Sequence, residues 1–290
     1  MTTTVSDRSP APSSAGTGGV TFPRLLRSEW LKLITLRSTW WSLGITVLAM
    51  MGLAAIFAAS ISFIPEDEAT GISELGAQVI TFGYYFAQVT VAVLGALVIT
   101  GEYSTGMIRS TMTAAPHRIT VLAAKALVLA IVVFVIGILA TLLSWVITMP
   151  LLPDGMSVDI AAGETWEVIL GAGVYLTLVA LMAFGLGTIV RSSAGAIAAV
   201  LGIVLILPII FTVLLGTGQD WAIDLYPYLP SAAGERLMAT SGGDAMATDP
   251  AAGGFAGMTQ LDPWVGGLVM LGYVAVIGLI GAVLVRRRDV

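Results

Sequence analysis

Long uninterrupted runs of apolar residues dominate the chain, and short polar segments separate them. A helix that crosses a hydrocarbon core of ~30 Å needs about 20 such residues. The runs are continuously apolar, without the alternation of a membrane barrel strand, and this favours helices. Six runs meet the requirement, at residues 41–64, 79–100, 126–149, 168–190, 194–216 and 264–285. The pattern predicts an all-α integral membrane protein with six transmembrane helices.

A different pattern precedes the first run, in the segment FPRLLRSEWLKLITLRST. At 100° per residue, one face carries apolar side chains and the opposite face is polar and basic. The apolar face holds Phe22, Leu25, Leu26, Trp30, Leu33, Ile34 and Leu36, with Glu29 and Arg37 at its edges; the polar face holds Arg24, Arg27, Ser28, Lys32 and Thr35. We expect an amphipathic helix over residues 22–39 in the inner membrane interface, rather than a plain cationic anchor.

Composition strengthens the membrane assignment. The chain is 57% hydrophobic and 11% charged, with a mean hydropathy of +0.95, which lies outside the range of soluble domains. Residues 1–20 are rich in Ser, Thr, Pro, Ala and Gly, and this predicts a disordered tail without a cleavable signal peptide. Cysteine is absent, so the sequence offers no disulfide or thiol chemistry.

The cations fix the expected orientation, because short cytoplasmic loops retain Lys and Arg. With a cytoplasmic N-terminus, 12 of the 13 Lys and Arg residues lie inside and Arg236 lies outside, whereas acidic residues concentrate in the outer segments. Both termini are then cytoplasmic. The net charge of −5 is divided between the two membrane sides, so it indicates no acid-seeking partner, and nothing favours nucleic-acid binding.

The connection between the second and third runs, residues 101–125, reads GEYSTGMIRSTMTAAPHRITVLAAK. It gathers both charge signs and the only histidine of the chain. Residues 102–112 lack proline and can form a short helix, which Pro116 then interrupts. From the residues alone, a surface built for a partner and a solvated loop that merely obeys the positive-inside rule are both open.

Three segments together resemble the permease subunit of a bacterial ABC type-2 exporter, and the resemblance covers the chain from about residue 22 to 288. The segments are SEWLKLITLRSTWW before the first run, the 101–125 segment after the second, and YPYLPSAAGERL after the fifth. The match is most specific at residues 101–125. The resemblance implies one permease domain over residues 21–290, with an outer segment, residues 217–262, that re-enters the membrane or lies on its outer leaflet.

The resemblance also implies a role for residues 101–125 as a coupling segment, which transmits nucleotide-driven closure from a separate ABC ATPase. The family pattern of a glutamate, a glycine, and a proline followed by basic residues maps here onto Glu102, Gly106, Arg109, Pro116, Arg118 and Lys125, with Met107 and Ile108 as apolar contacts. A second permease copy or homologue is the other expected partner, alongside membrane lipid. This chain would bind no cofactor, because it lacks a phosphate-binding loop; ATP and Mg²⁺ would bind the ATPase.

Other function classes find less support. Neither H-E-x-x-H nor G-x-S-x-G occurs, and the lone His117 offers too few donors for a metal site, so an enzyme is not expected. The six runs contain no Asp, Glu, Lys, Arg or His, which argues against ion or proton coupling. The sequence therefore favours ATP-driven export of a hydrophobic or amphipathic drug, lipid or peptide across the plasma membrane, with a self-contained channel or scaffold as the alternative. Candidate path residues are Tyr84, Tyr85, Gln88 and Tyr175.

Overall fold

The computed structural model describes residues 21–63, 75–108, 118–153, 156, 158–240 and 258–287. These residues form helices and connecting turns without any strand. The expected tail at residues 1–20 lies outside the described residues. So does the middle of the 101–125 segment, including Arg109, Pro116 and His117.

Eleven α-helices in the described residues are numbered here in chain order. They are α1 Phe22–Thr35, α2 Arg37–Ile61, α3 Leu75–Thr81, α4 Tyr84–Ser104, α5 Arg118–Thr148, α6 Gly163–Val190, α7 Ser193–Leu201, α8 Leu207–Leu215, α9 Asp220–Leu225, α10 Pro230–Glu235 and α11 Pro263–Arg287. Six helical stretches are long and apolar enough to cross a membrane: Arg37–Ile61, Gly76–Ser104, Arg118–Thr148, Gly163–Val190, Ser193–Leu215 and Pro263–Arg287. The prediction of a six-span, all-helical membrane protein is confirmed at this level.

The helical ends differ from the sequence-based bounds. The amphipathic helix α1 ends at Thr35, because Leu36 adopts an extended conformation (φ −79°, ψ 121°) and α2 starts at Arg37. The second and third spanning helices also extend beyond the apolar runs, to Ser104 and from Arg118. As a result, Glu102 and Lys125 belong to spanning helices. The helices that contain the predicted spans therefore carry charged residues at their ends, outside residues 79–100 and 126–149.

Helix α6 lies at the centre of the bundle, where it packs against α4, α5 and α11. Its contact with α4 is close enough to require glycine: a Cβ at Gly95 would lie 2.2 Å from the carbonyl oxygen of Ala180. The fifth span, Ser193–Leu215, is more peripheral and contains a π-helical turn at Gly202–Ile206. This turn ends two residues before Pro208, whose missing backbone N–H removes a helical hydrogen bond at this point of the span.

The two ends of the bundle carry different charges. At the basic end, the Arg118 guanidinium donates to the carbonyl oxygen of Val285 at 3.3 Å. The Ser193 hydroxyl donates to the Thr100 hydroxyl at 2.8 Å. These bonds bring together the start of α5, the end of α11, the end of α4 and the start of α7. The acidic end holds the opposite helix ends, with Asp159, Glu164, Glu167, Asp220, Asp224, Glu235, Arg236 and Asp262.

At the acidic end, residues 230–238 insert into the bundle. A Cβ at Gly171 of α6 would lie 1.8 Å from the carbonyl oxygen of Leu237, and one at Gly234 would clash with Tyr175. Tyr175 is twelve residues into α6, which corresponds to about 18 Å along the helix axis at 1.5 Å per residue. The segment thus packs deep between α6 and α11 instead of lying over the helix ends.

Candidate functional site

Four charged side chains meet at the basic end and form what we call the charge cluster: Glu29, Lys32, Glu102 and Lys125. The Lys125 ammonium donates to Glu29 and, at 2.9 Å, to Glu102 Oε1. The Lys32 ammonium donates to Glu29 Oε1 at 3.0 Å and to Glu102 Oε1 at 3.1 Å. Two anions and two cations therefore neutralise one another and join α1, α4 and α5.

Most of the charge cluster is buried. Glu29 and Lys125 are each 4% exposed and Glu102 is 8% exposed, whereas the Lys32 side chain keeps 35% of its surface accessible. Buried charges are costly unless they are paired and hydrogen-bonded. All four charges are paired here, and Glu102 makes both of its ion pairs through Oε1, while its buried Oε2 has no hydrogen-bond partner. Burial lowers the pKa of Lys32, but its contacts with the carboxylates of Glu29 and Glu102 outweigh burial and raise that pKa overall.

Sequence reasoning found only part of the charge cluster. It singled out Glu102 and Lys125 from the family pattern, but it placed Lys32 on the polar face of α1 and Glu29 at the edge of the apolar face. The structure turns Glu29 inward, towards α5. A charged residue among the apolar positions of an amphipathic helix was the available signal, because such a residue needs a counter-ion when the face is buried.

The described part of the 101–125 segment divides into exposed and buried positions. Gly106 has a left-handed backbone (φ 71°), which favours glycine over any residue with a Cβ. Met107 is 46% exposed, whereas Ile108 is 4% exposed and belongs to the hydrophobic core. Of the two expected apolar contacts, Met107 is thus the more exposed.

The four candidate path residues do not form one surface. Gln88 and Tyr175 are buried, and the Tyr175 hydroxyl donates to Gln88 Oε1 across the α4–α6 contact. They stabilise helix packing. Tyr84 and Tyr85, by contrast, both line a cavity at the acidic end.

We call this cavity the aromatic cavity and define it by Phe57, Phe82, Tyr84, Tyr85, Tyr226 and Glu235, which line it together with neighbouring residues. It opens to the surface and has a volume of about 400 Å³. Its rings contact one another in sequence. The ring centroids of Phe57 and Phe82 are 4.4 Å apart and stacked, those of Phe82 and Tyr85 are 5.8 Å apart, and those of Tyr84 and Tyr85 are 4.1 Å apart.

Glu235 places a carboxyl group in the wall of the aromatic cavity, at the end of α10. Burial raises the pKa of Glu235 to about 7, although a hydrogen bond from the Tyr84 side chain lowers it in part. Burial of Tyr226, together with the nearby Glu235 carboxylate, raises the pKa of Tyr226 to about 12. Sequence reasoning treated Glu235 as one of many outer acidic residues. The signal it missed is a single glutamate within the apolar stretch LYPYLPSAAGERLMA.

The chain was compared with known families and curated proteins. Residues 43–290 match a protein family described as "Protein of unknown function (DUF2705)". The chain belongs to this family. The match covers the first span from residue 43 onward and the other five spans in full, so the helix α1 that supplies Glu29 and Lys32 lies outside it. No curated protein matches the chain.

Proposed function

We propose that this DUF2705 protein is the transmembrane permease subunit of an ATP-driven exporter, with the basic end in the cytoplasm and a separate ATPase bound at residues 101–125. The observation that carries the proposal is the charge cluster. Its ion pairs connect α1 to the end of α4 and the start of α5, the two helices that flank the 101–125 segment.

This connection supports coupling in a mechanical sense. A partner that pushes on residues 101–125 would move the ends of α4 and α5, and the buried ion pairs would carry α1 with them. Buried pairs resist separation, because parting them leaves uncompensated charges at low dielectric. α4 and α5 both pack on the central α6, so displacement of their ends would reach the rest of the bundle.

The remaining parts of the proposal follow from the resemblance. The cargo would be a hydrophobic or amphipathic drug, lipid or peptide, exported across a bacterial plasma membrane by a pair of permease chains. The broad apolar surfaces of α2, α8 and α11 are suited to contact with lipid and with such a second copy.

The test is a site-directed cross-link in a chain that has no native cysteine. Met107→Cys is exposed beside the proposed docking segment, and Phe63→Cys, at a residue 88% exposed beyond the opposite end of α2, is the matched control. We expect a reagent with one thiol-reactive arm and one photoreactive arm to join Met107→Cys, but not Phe63→Cys, to a P-loop ATPase in cell membranes. Purification that repeatedly recovers the permease without an ATPase, and without that cross-link, would favour a self-contained channel or scaffold.

The same two variants test orientation. An impermeant maleimide added to intact cells should label Phe63→Cys and leave Met107→Cys unlabelled until the cells are opened. The reverse labelling would place the basic end outside and contradict the proposed docking of a cytoplasmic ATPase.

A further inference from the structure

We propose that the aromatic cavity is a binding site for an organic ammonium ion, with Glu235 as its counter-charge. The site combines three features: an open volume of about 400 Å³, a wall of contacting aromatic rings, and a carboxyl group among them. The idea that such an ammonium ion is the exported cargo rests on the proposed function. Binding of the ion to the cavity does not require the ATPase.

The aromatic wall supplies one half of the recognition. The faces of Tyr and Phe rings carry negative potential, which attracts ammonium groups within about 6 Å of the ring centroid and holds quaternary ammonium groups in aromatic cages. Here the rings come from three separate elements, with Phe57 on α2, Phe82 and Tyr85 around the start of α4, and Tyr226 after α9. Tyr85 is 47% exposed, so its ring is accessible to a ligand.

The carboxyl group supplies the other half. The structure records no ion pair between Glu235 and any described basic side chain. Arg236 also lines the cavity, but its Nε donates to the carbonyl of Leu261 at 2.6 Å. A cationic ligand could therefore form the ion pair that no described basic side chain forms with Glu235.

Protonation of Glu235 predicts how affinity changes with pH. The titratable groups that face Glu235 are the phenols of Tyr84, Tyr85, Tyr175 and Tyr226, and the charged group beside it is Arg236. Phenols ordinarily titrate near pH 10, so the tyrosines keep their charge between pH 6 and pH 8. Glu235, with a pKa of about 7, does change charge in this range.

The experiment measures equilibrium binding of benzyltrimethylammonium to the purified full chain in a maltoside detergent, which contains no ammonium group. We expect about tenfold tighter binding at pH 8 than at pH 6, because binding requires the ionised fraction of Glu235. Glu235→Gln should weaken binding at pH 8 by about tenfold or more and remove the pH dependence. Glu164→Gln, an exposed carboxylate at the same end, is the control and should bind as the native chain does.

A second pair of variants keeps the test valid if Glu235→Gln fails to fold. Tyr85→Phe retains the ring and should bind within about twofold of the native chain, whereas Tyr85→Leu should bind about threefold to fivefold more weakly. Absence of saturable binding by the well-folded native chain would overturn the proposal. So would equal binding by Tyr85→Phe and Tyr85→Leu, or unchanged binding by a folded Glu235→Gln.

Two sources could supply the ammonium group, a free organic cation or a lipid headgroup. Repeating the measurement in nanodiscs with and without phosphatidylcholine separates them. Unchanged affinity for the probe supports a free cation, and competition by the lipid supports a headgroup; both support the ammonium site. Because none of these measurements contains an ATPase, failure here is distinguishable from failure of the proposed export function.

Discussion

The two ends of the bundle place carboxylates in opposite surroundings. At the basic end, Glu29 and Glu102 are each bound by two lysine ammonium groups, and the charges sum to zero. At the acidic end, Glu235 faces aromatic rings and phenols, and no ion pair of the described residues satisfies it. The first arrangement fixes helices relative to one another, whereas the second leaves a charge available to a ligand or a proton.

Burial of a charge therefore does not by itself indicate function. A cluster that is paired internally is explained by helix packing, and its role in coupling has to come from where it lies. A carboxyl group without a paired cation costs stability whenever it is ionised. Such a cost calls for an explanation in terms of binding or protonation, which is why Glu235 carries the stronger inference about a ligand.

The largest expected effect is that of Lys125→Met, which removes the buried cation that contacts both glutamates. The cluster is left with an excess negative charge, and the free energy of unfolding should fall by about 3–5 kcal/mol. It is measured by titration with sodium dodecyl sulfate in mixed micelles. In the double variant Glu29→Gln/Lys125→Met, charge balance returns, so the loss should be smaller than the sum of the two single losses. Additive losses would show that the buried pairs are not coupled.

The second effect is the pH dependence of stability that Glu235 contributes. Its pKa of about 7 in the folded chain lies above its ordinary value of 4.5, so the folded chain holds the proton more tightly. The resulting stabilisation is complete below about pH 4.5 and is lost as the pH rises through 7; it amounts to at most about 3 kcal/mol. Relative to the native chain, Glu235→Gln should therefore gain stability between pH 5 and pH 8. A constant difference across that range would contradict the assignment.

A third, smaller effect concerns the buried hydrogen bond between Tyr175 and Gln88. Tyr175→Phe keeps the ring but leaves Gln88 Oε1 without its donor, which should cost about 1–3 kcal/mol. The matched control is Tyr273→Phe, because the Tyr273 hydroxyl donates to the carbonyl of Tyr228 at an exposed position. This control should change stability by less than about 0.5 kcal/mol. If binding of the ammonium probe fell in Tyr175→Phe while stability held, Tyr175 would act on the ligand rather than on packing.

The number and type of spanning helices could be predicted because both depend on local hydrophobicity, which each segment carries in its own residues. The sites depend on long-range contacts. Lys32 and Glu102 are joined across 70 positions, and the inward rotation of Glu29 is decided by the surface of α5 rather than by α1. Likewise, the sequence suggests that Gln88 and Tyr175 are polar groups on a substrate path, but in the structure they form a hydrogen bond with each other. Glu235 lies in the wall of the aromatic cavity because residues 230–238 pack between α6 and α11, a tertiary contact that the local sequence does not indicate.

The smallest effect is expected for Lys32, and it sharpens the contrast within the charge cluster itself. Lys32 contacts the same two carboxylates as Lys125, yet its side chain is 35% exposed and that of Lys125 is 5% exposed. Partly exposed pairs are weakened by solvent and salt, so Lys32→Met should lower the free energy of unfolding by about 1 kcal/mol or less. That loss should shrink further in 1 M salt, while the loss in Lys125→Met should persist, because salt screens buried pairs much less. Unfolding titrations of both variants at low and high salt make the comparison. Equal losses for the two lysines would mean that burial does not set the strength of these pairs, and the mechanical role assigned to the buried side of the cluster would lose its basis.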